Sequence, residues 1–263
     1  MSRQKVVAII QARMSSSRLP GKVLLDIEGK PMLQWVSERV KQAKKIDDVL
    51  VATTIHTADD PIEVFCKEHG IKVYRGDQFD VLDRYYQAAR QAEADVIVRI
   101  TADCPLIDPG EIDALLDEFT TRKVDFAANR LPPPWHRTFP IGLDVEIASF
   151  QALERAWTES TEKHDREHVM PYLYEVEGRF SMYYHNTKPD YGELRWTVDT
   201  QQDIEAVRMI YRLLPDKEHF TWRDVLHLVQ EHPDLSALNA GIRHKAFNEV
   251  DERMLKEKEA KNG

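Results

Sequence analysis

The densest chemistry in the chain lies between Gln11 and Lys22, where Arg13, Arg18 and Lys22 are interleaved with Ser15, Ser16 and Ser17 and the run closes on a Pro-Gly turn. Two guanidinium forks and an ammonium match the charge and geometry of phosphate oxygens, and hydroxyls and loop amides add neutral donors. That combination suits a polyphosphate. It is not a P-loop, because Lys22 is followed by Val23, and it is not a Rossmann glycine fingerprint. A basic, solvated surface loop is the competing reading.

Carboxylates supply the second half of such a site. Arg99-Ile-Thr-Ala-Asp-Cys-Pro-Leu-Ile-Asp108 places Asp103 just past an apolar run, and Leu194-Arg-Trp-Thr-Val-Asp199 does the same for Asp199. Two carboxylates arriving from distant parts of the chain would hold one Mg²⁺ that keeps several waters and bridges to a substrate phosphate. Each has an ordinary alternative, Asp103 as a turn former and Asp199 as the cap of the helix that follows. Asp144 and Glu146 lie two apart, so a strand there turns both carboxylates to one face, toward sugar hydroxyls and the metal or toward solvent. Arg166 suits a substrate carboxylate, and His168 a proton relay or an ordinary half-buried histidine. Cys104 has no activating base beside it in sequence, which argues against a catalytic thiol.

The elements that must position these residues follow from periodicity. The continuous, β-branched run 6–10 predicts a parallel strand buried on both faces, and further strands are expected at 49–53, 71–74 and 95–101. Helical spacing begins at Pro31, with Leu33, Val36, Val40 and Ala43, and recurs at 61–69, 81–92 and 109–121. Repeated β-α units of this length predict an α/β fold with a doubly wound, mostly parallel sheet, whose ligands bind beyond the carboxyl ends of the strands. The loops after Ile10 and Ile100 are therefore the place to look. A triple proline at 132–134 interrupts the alternation, a strand is expected at 142–147, and helices at 150–158, 167–175 and 202–213. The interruption reads as a small inserted lid or dimerisation region. Residues 1–243 then form one domain, with a nucleotide-binding part at about 1–130 and an acceptor part at about 131–200, followed by a charged tail at 244–263.

Composition bounds the function. The 263 residues are 42% apolar, enough for a sizeable core, and carry a formal charge of −9, which argues against nucleic-acid or anionic membrane partners. An anionic ligand must therefore meet a local positive cluster. Two cysteines build no disulfide framework, no apolar run approaches the roughly 18 residues of a membrane helix, and the run 6–10 is too short for a signal peptide. The expectation is a soluble, cytoplasmic protein.

Taken in order, RMSSSRLPGK (13–22), GKPML (29–33), RGDQFDVLDRYYQAA (75–89), RITADCPLID (99–108), FPIGLDVEI (139–147), DREHVMPYLY (165–174) and RWTVDTQQDIE (195–205) resemble the cytidylyltransferases of spore-coat polysaccharide biosynthesis, and more distantly the acylneuraminate and Kdo cytidylyltransferases. The resemblance implies transfer of CMP from CTP to the hydroxyl of a sugar, with release of pyrophosphate, by a homodimer with a nucleotide-diphospho-sugar transferase-like fold. It implies Arg13, Ser15, Arg18 and Lys22 at the triphosphate and Gln11, Ala12, Arg75, Gly76, Asp80, Leu82, Arg84 and Thr101 around the nucleotide. It also implies Asp103 and Asp199 at Mg²⁺, with Arg13, Lys22, Asp103 and Asp199 as the catalytic set. Ala102 stands where relatives commonly have glycine. The sugar-binding half, with Asp144, Glu146, Arg166 and His168 as its candidates for an acidic sugar, matches neither the sialic-acid nor the Kdo enzymes closely. Two rivals remain: a nucleotide-sugar-dependent glycosyltransferase, which usually shows D-x-D where residues 101–103 read Thr-Ala-Asp, and a non-catalytic nucleotide-binding protein, which need not keep both carboxylates and all three cations.

Overall fold

The first apolar run forms β1 (Val6–Gln11), and its alternate side chains enter different cores, Val7 and Ile9 on one face, Ala8 and Ile10 on the other. The computed structural model describes residues 3–242. After β1 come a tight antiparallel pair, β2 (Asp26–Ile27) and β3 (Lys30–Pro31), then α1 (Met32–Lys41), β4 (Asp48–Thr54), α2 (Asp60–Glu68), β5 (Lys72–Gly76), α3 (Val81–Gln91), β6 (Val96–Thr101) and α4 (Pro109–Arg122). The second half supplies β7 (Phe126–Ala128), β8 (Glu146–Ser149), α5 (Phe150–Glu159), α6 (Lys163–His168), α7 (Pro171–Tyr174), β9 (Met182–Tyr184), α8 (Gln201–Leu213), α9 (Trp222–Glu231) and α10 (Pro233–Ala237).

Seven strands form one sheet in the order β5-β4-β1-β6-β8-β7-β9. Only β8 runs against the rest, pairing antiparallel with both β6 and β7. Residues 131–200 thus add strands to the common sheet. Leu33 and Val36 of α1, Leu115 of α4 and Ile204 of α8 pack on one face, while Tyr85 of α3, Leu153 of α5 and Leu173 of α7 pack on the other. This is the doubly wound arrangement expected from the sequence.

Two expected elements differ. The strand expected at 142–147 begins only at Glu146, because the Asn129 side chain takes the hydrogen bonds that a ladder would make, donating from Nδ2 to the Leu143 carbonyl at 2.7 Å and accepting from the Val145 amide at 2.8 Å. The helix expected at 167–175 splits into α6 and α7, where Val169 adopts φ 75° and Pro171 brings no amide donor. The tail at 244–263 lies outside the described residues. Within them, no helix is long and apolar enough to cross a membrane.

Candidate active site

The loop after β1 is folded by its own backbone. Gly21 takes the left-handed conformation (φ 72°), its amide donates to the Met14 carbonyl at 2.8 Å, and the Met14 amide donates to Asp59 Oδ1 at 2.7 Å. A 3-10 turn (Lys22–Leu24) follows at once and directs Lys22 inward. The loop after β6 is tied to the segment before α8: Val198 donates its amide to the Asp103 carbonyl at 2.8 Å, and Thr197 donates its hydroxyl to the same oxygen at 3.1 Å. Asp103 and Asp199, far apart in sequence, are thereby brought side by side.

Lys22 sits between them. Its Nζ donates to Asp103 Oδ2, to Asp199 Oδ1 and to the Val198 carbonyl, each at 2.8 Å. Arg18 pairs with Asp199 at 3.0 Å, and Arg195 adds a contact at 2.9 Å. Burial works against the Lys22 ammonium, but the two carboxylates outweigh it and the net shift is upward. Burial likewise pushes the Asp199 carboxyl up, and Lys22, Arg18 and Arg195 hold it well below the usual carboxylate range. These groups line a cleft of about 190 Å³ at the carboxyl ends of β1 and β6, together with Gln11, Arg13 and Thr101. A positive wall thus faces two carboxylates at the topological switch of the sheet.

Other expected residues divide. Ser16 and Ser17, rather than Ser15, line the cleft. Ala12 turns into the core and its amide donates to the Ala52 carbonyl at 3.1 Å. Arg75 is engaged away from the cleft, donating to the carbonyls of Thr54 and His56 and to Asp60 and Glu63. Gly76 leaves room for the Arg84 side chain, which an added Cβ would meet at 3.1 Å. Leu82 is core. Arg84 is buried, within reach of the charges of Arg13 and Asp59, and its Nε and Nη1 have no hydrogen-bond partner among the described residues. Asp80 caps α3 and accepts from Arg166 Nε at 2.9 Å, so in this structure the Arg166 guanidinium pairs with a carboxylate of its own chain.

Asp144 and Glu146 do not share a strand face. Asp144 accepts both terminal nitrogens of Arg137, and the buried Glu146 accepts from Arg99. Arg99 in turn donates to Gln11 Oε1 at 3.3 Å, which links Glu146 to the cleft wall. His168 lies near the same arginine: burial, then His164, Arg99 and Arg130, lower its pKa to about 4. Burial, and after it the charges of Asp103 and Asp144, push the Cys104 thiol well up and keep it protonated.

Sequence reasoning missed Arg195. Its Nε donates to Asp203 Oδ1 at 2.8 Å, and Asp203 also accepts the amides of Asp199 and Thr200. Thr200, not Asp199, is the cap of α8. The signal was present in the Thr200-x-x-Asp203 spacing of a capping box.

The model of a family described as cytidylyltransferase matches residues 7–231. The chain belongs to the cytidylyltransferase family. This cytidylyltransferase is 30% identical over 247 residues to the spore coat polysaccharide biosynthesis protein SpsF of Bacillus subtilis, a match covering 87% of this chain and 95% of that one. It is 42% identical over 115 residues to the 3-deoxy-manno-octulosonate cytidylyltransferase of Escherichia coli, covering 43% of this chain and 45% of that enzyme. A solved cytidylyltransferase from Leptospira borgpetersenii superposes with a TM-score of 0.85 at 34% identity, covering 92% of this chain and 100% of the other. Cytidylyltransferases use CTP.

Proposed function

We propose that this enzyme transfers CMP from CTP to the hydroxyl of an acidic sugar, releasing pyrophosphate, with Mg²⁺ as its metal, in the assembly of a polysaccharide or glycoconjugate such as a spore coat. The observation that carries the reading is the meeting of Arg13, Arg18 and Lys22 with Asp103 and Asp199 in one cleft. The convergence of Asp103 and Asp199 on one ammonium, at 2.8 Å each, fits two hard oxygen donors around a small cation, with phosphate and water completing the shell. Bound there, Mg²⁺ would neutralise phosphate charge and polarise the α-phosphorus.

The residues of the chain do the rest. Arg13, Arg18 and Lys22 hold the triphosphate and stabilise the charge that develops on departing pyrophosphate. Gln11 and Thr101 line the wall beside them, and no covalent enzyme intermediate is required. Holding acceptor and nucleotide together contributes up to roughly 7–11 kcal/mol in favourable cases. The acceptor enters from the 131–200 part, where Glu146 and His168 lie by Arg99, the residue that donates to Gln11, while residues up to about 130 hold the nucleotide. The same resemblance implies a homodimer working in the cytoplasm, and sedimentation equilibrium tests the dimer.

The deciding experiment is pyrophosphate release with Mg²⁺ and each of CTP, UTP, ATP and GTP against acidic and neutral sugars, including nonulosonic acids and Kdo. Release with CTP and an acidic sugar is expected. A neutral sugar as the better acceptor would overturn the acidic assignment, and CTP binding with no release across the panel would favour a non-catalytic protein.

A further inference from the structure

The Lys22 ammonium has three N–H donors and three acceptors, Asp103, Asp199 and the Val198 carbonyl, and none is left over for a phosphate. In this arrangement Lys22 occupies the very position that a bridging cation would take. The local charge is also closed: Lys22 and Arg18 face Asp103 and Asp199, while Arg195 divides its contacts between Asp199 and Asp203. A divalent ion added here would meet no uncompensated carboxylate. Among the described residues, no group of three or more His, Cys, Asp or Glu side chains could hold a metal ion, so the protein offers no complete cage of its own. A triphosphate supplies both what is missing in oxygen ligands and a competing anion for the lysine.

We propose that Lys22 is the resident cation of the metal position, and that nucleotide binding draws it off the Asp103–Asp199 pair onto the phosphates, opening the two carboxylates to a divalent ion only when CTP is present. The inference rests on the CTP reading above. The exchange is a movement of a flexible four-carbon stem within the cleft, with Lys22 staying protonated, and Arg18 and Arg195 remain to orient Asp199 once the lysine has left. Mg²⁺ and CTP then bind with positive coupling, and by linkage each raises the affinity of the other by the same factor.

The test uses Mn²⁺ as the probe, its free concentration read by electron paramagnetic resonance, with α,β-methylene CTP as a nucleotide that cannot react. Wild-type protein without nucleotide is expected to bind Mn²⁺ weakly, and Lys22→Met to bind it more tightly by a factor on the order of 10 to 100, because the competing ammonium is gone. The Lys22→Met melting temperature should rise with Mn²⁺ alone while that of the wild type does not. Equal Mn²⁺ affinity in the two proteins would overturn the proposal. Because Lys22→Met leaves two facing carboxylates uncompensated and could fold poorly, Lys22→Gln is measured beside it, and wild-type crystals are soaked in Mn²⁺ with and without the analogue. Manganese between Asp103 and Asp199 without nucleotide, or Lys22 still bridging them with the analogue bound, would also overturn it. Calorimetry separates the two readings: a protein that binds no CTP at all fails as a cytidylyltransferase, whereas one that binds CTP and takes up Mn²⁺ regardless fails only here.

Discussion

Asp199 gathers Lys22, Arg18 and Arg195 around one carboxylate, with Lys22 also paired to Asp103 and Arg195 to Asp203. Replacing Lys22 by Ala removes the cation aimed at developing pyrophosphate charge, so kcat should fall by about 10²–10³-fold; a change confined to KM would mark a ground-state contact instead. Asp103→Asn should abolish turnover with little change in melting temperature, because it alters a half-exposed loop carboxylate and no core volume. His168 gives a pH signature. The unfolded ring takes up a proton near 6.5 and the folded ring resists until about 4, so stability falls as pH drops across that interval. Thermal melts from pH 7 to 4 should show this slope, and His168→Gln should flatten it. Residue type and spacing made the meeting of Arg18, Lys22, Asp103 and Asp199 legible, because loops at the carboxyl ends of neighbouring strands converge in a doubly wound sheet. The partners of Arg75 and Arg166 were not legible, since an arginine's side-chain reach says nothing about which of several nearby carboxylates claims it.

Elements set how closely those side chains are held. Gly142, at φ 113°, lets its loop pass the segment that carries Asp199, and a Cβ there would lie 2.7 Å from the Thr197 amide nitrogen and from the Trp196 carbonyl carbon. Gly142→Ala should therefore cost about 1–3 kcal/mol through backbone strain alone, and more if the segment cannot shift. Because the displaced segment includes Asp199, turnover should fall together with the melting temperature; a large loss of stability at full kcat would separate the loop from the site. Helices α1 to α5 and α8 were readable from caps and spacing, as with Pro109 at the first turn of α4, whereas α9 and α10 were not expected. The three-residue strands β7 and β9 were not, being too short for an alternation, and neither was the pair β2–β3. The late start of β8 depends on Asn129, a contact between positions that no local pattern connects.

Across the whole molecule, the cleft is assembled from residues 11–22, 101–103 and 199, so a bound nucleotide braces segments from both halves of the chain. CTP at about 100 times its Kd should add about 2.7 kcal/mol to stability, which for a chain of this size raises Tm by roughly 2–4 °C per kcal/mol. Differential scanning fluorimetry with UTP, ATP and GTP in parallel should give smaller shifts, and an equal shift with all four would deny the cleft any base preference. The reversed strand β8 has a separate consequence. Ala128 pairs with Glu146, so the loop between β7 and β8 both leaves from and returns to the edge of the sheet where the cleft opens. Two anchors hold it, Asn129 setting where β8 starts and Gly142 passing the segment that carries Asp199, so its length and composition can drift between those anchors while the register of the strands is kept. Divergence within this fold accordingly has one excursion of the chain to work on, the stretch between Asn129 and Gly142, and a graft of that excursion between relatives must carry both anchors with it to keep Asp199 in place.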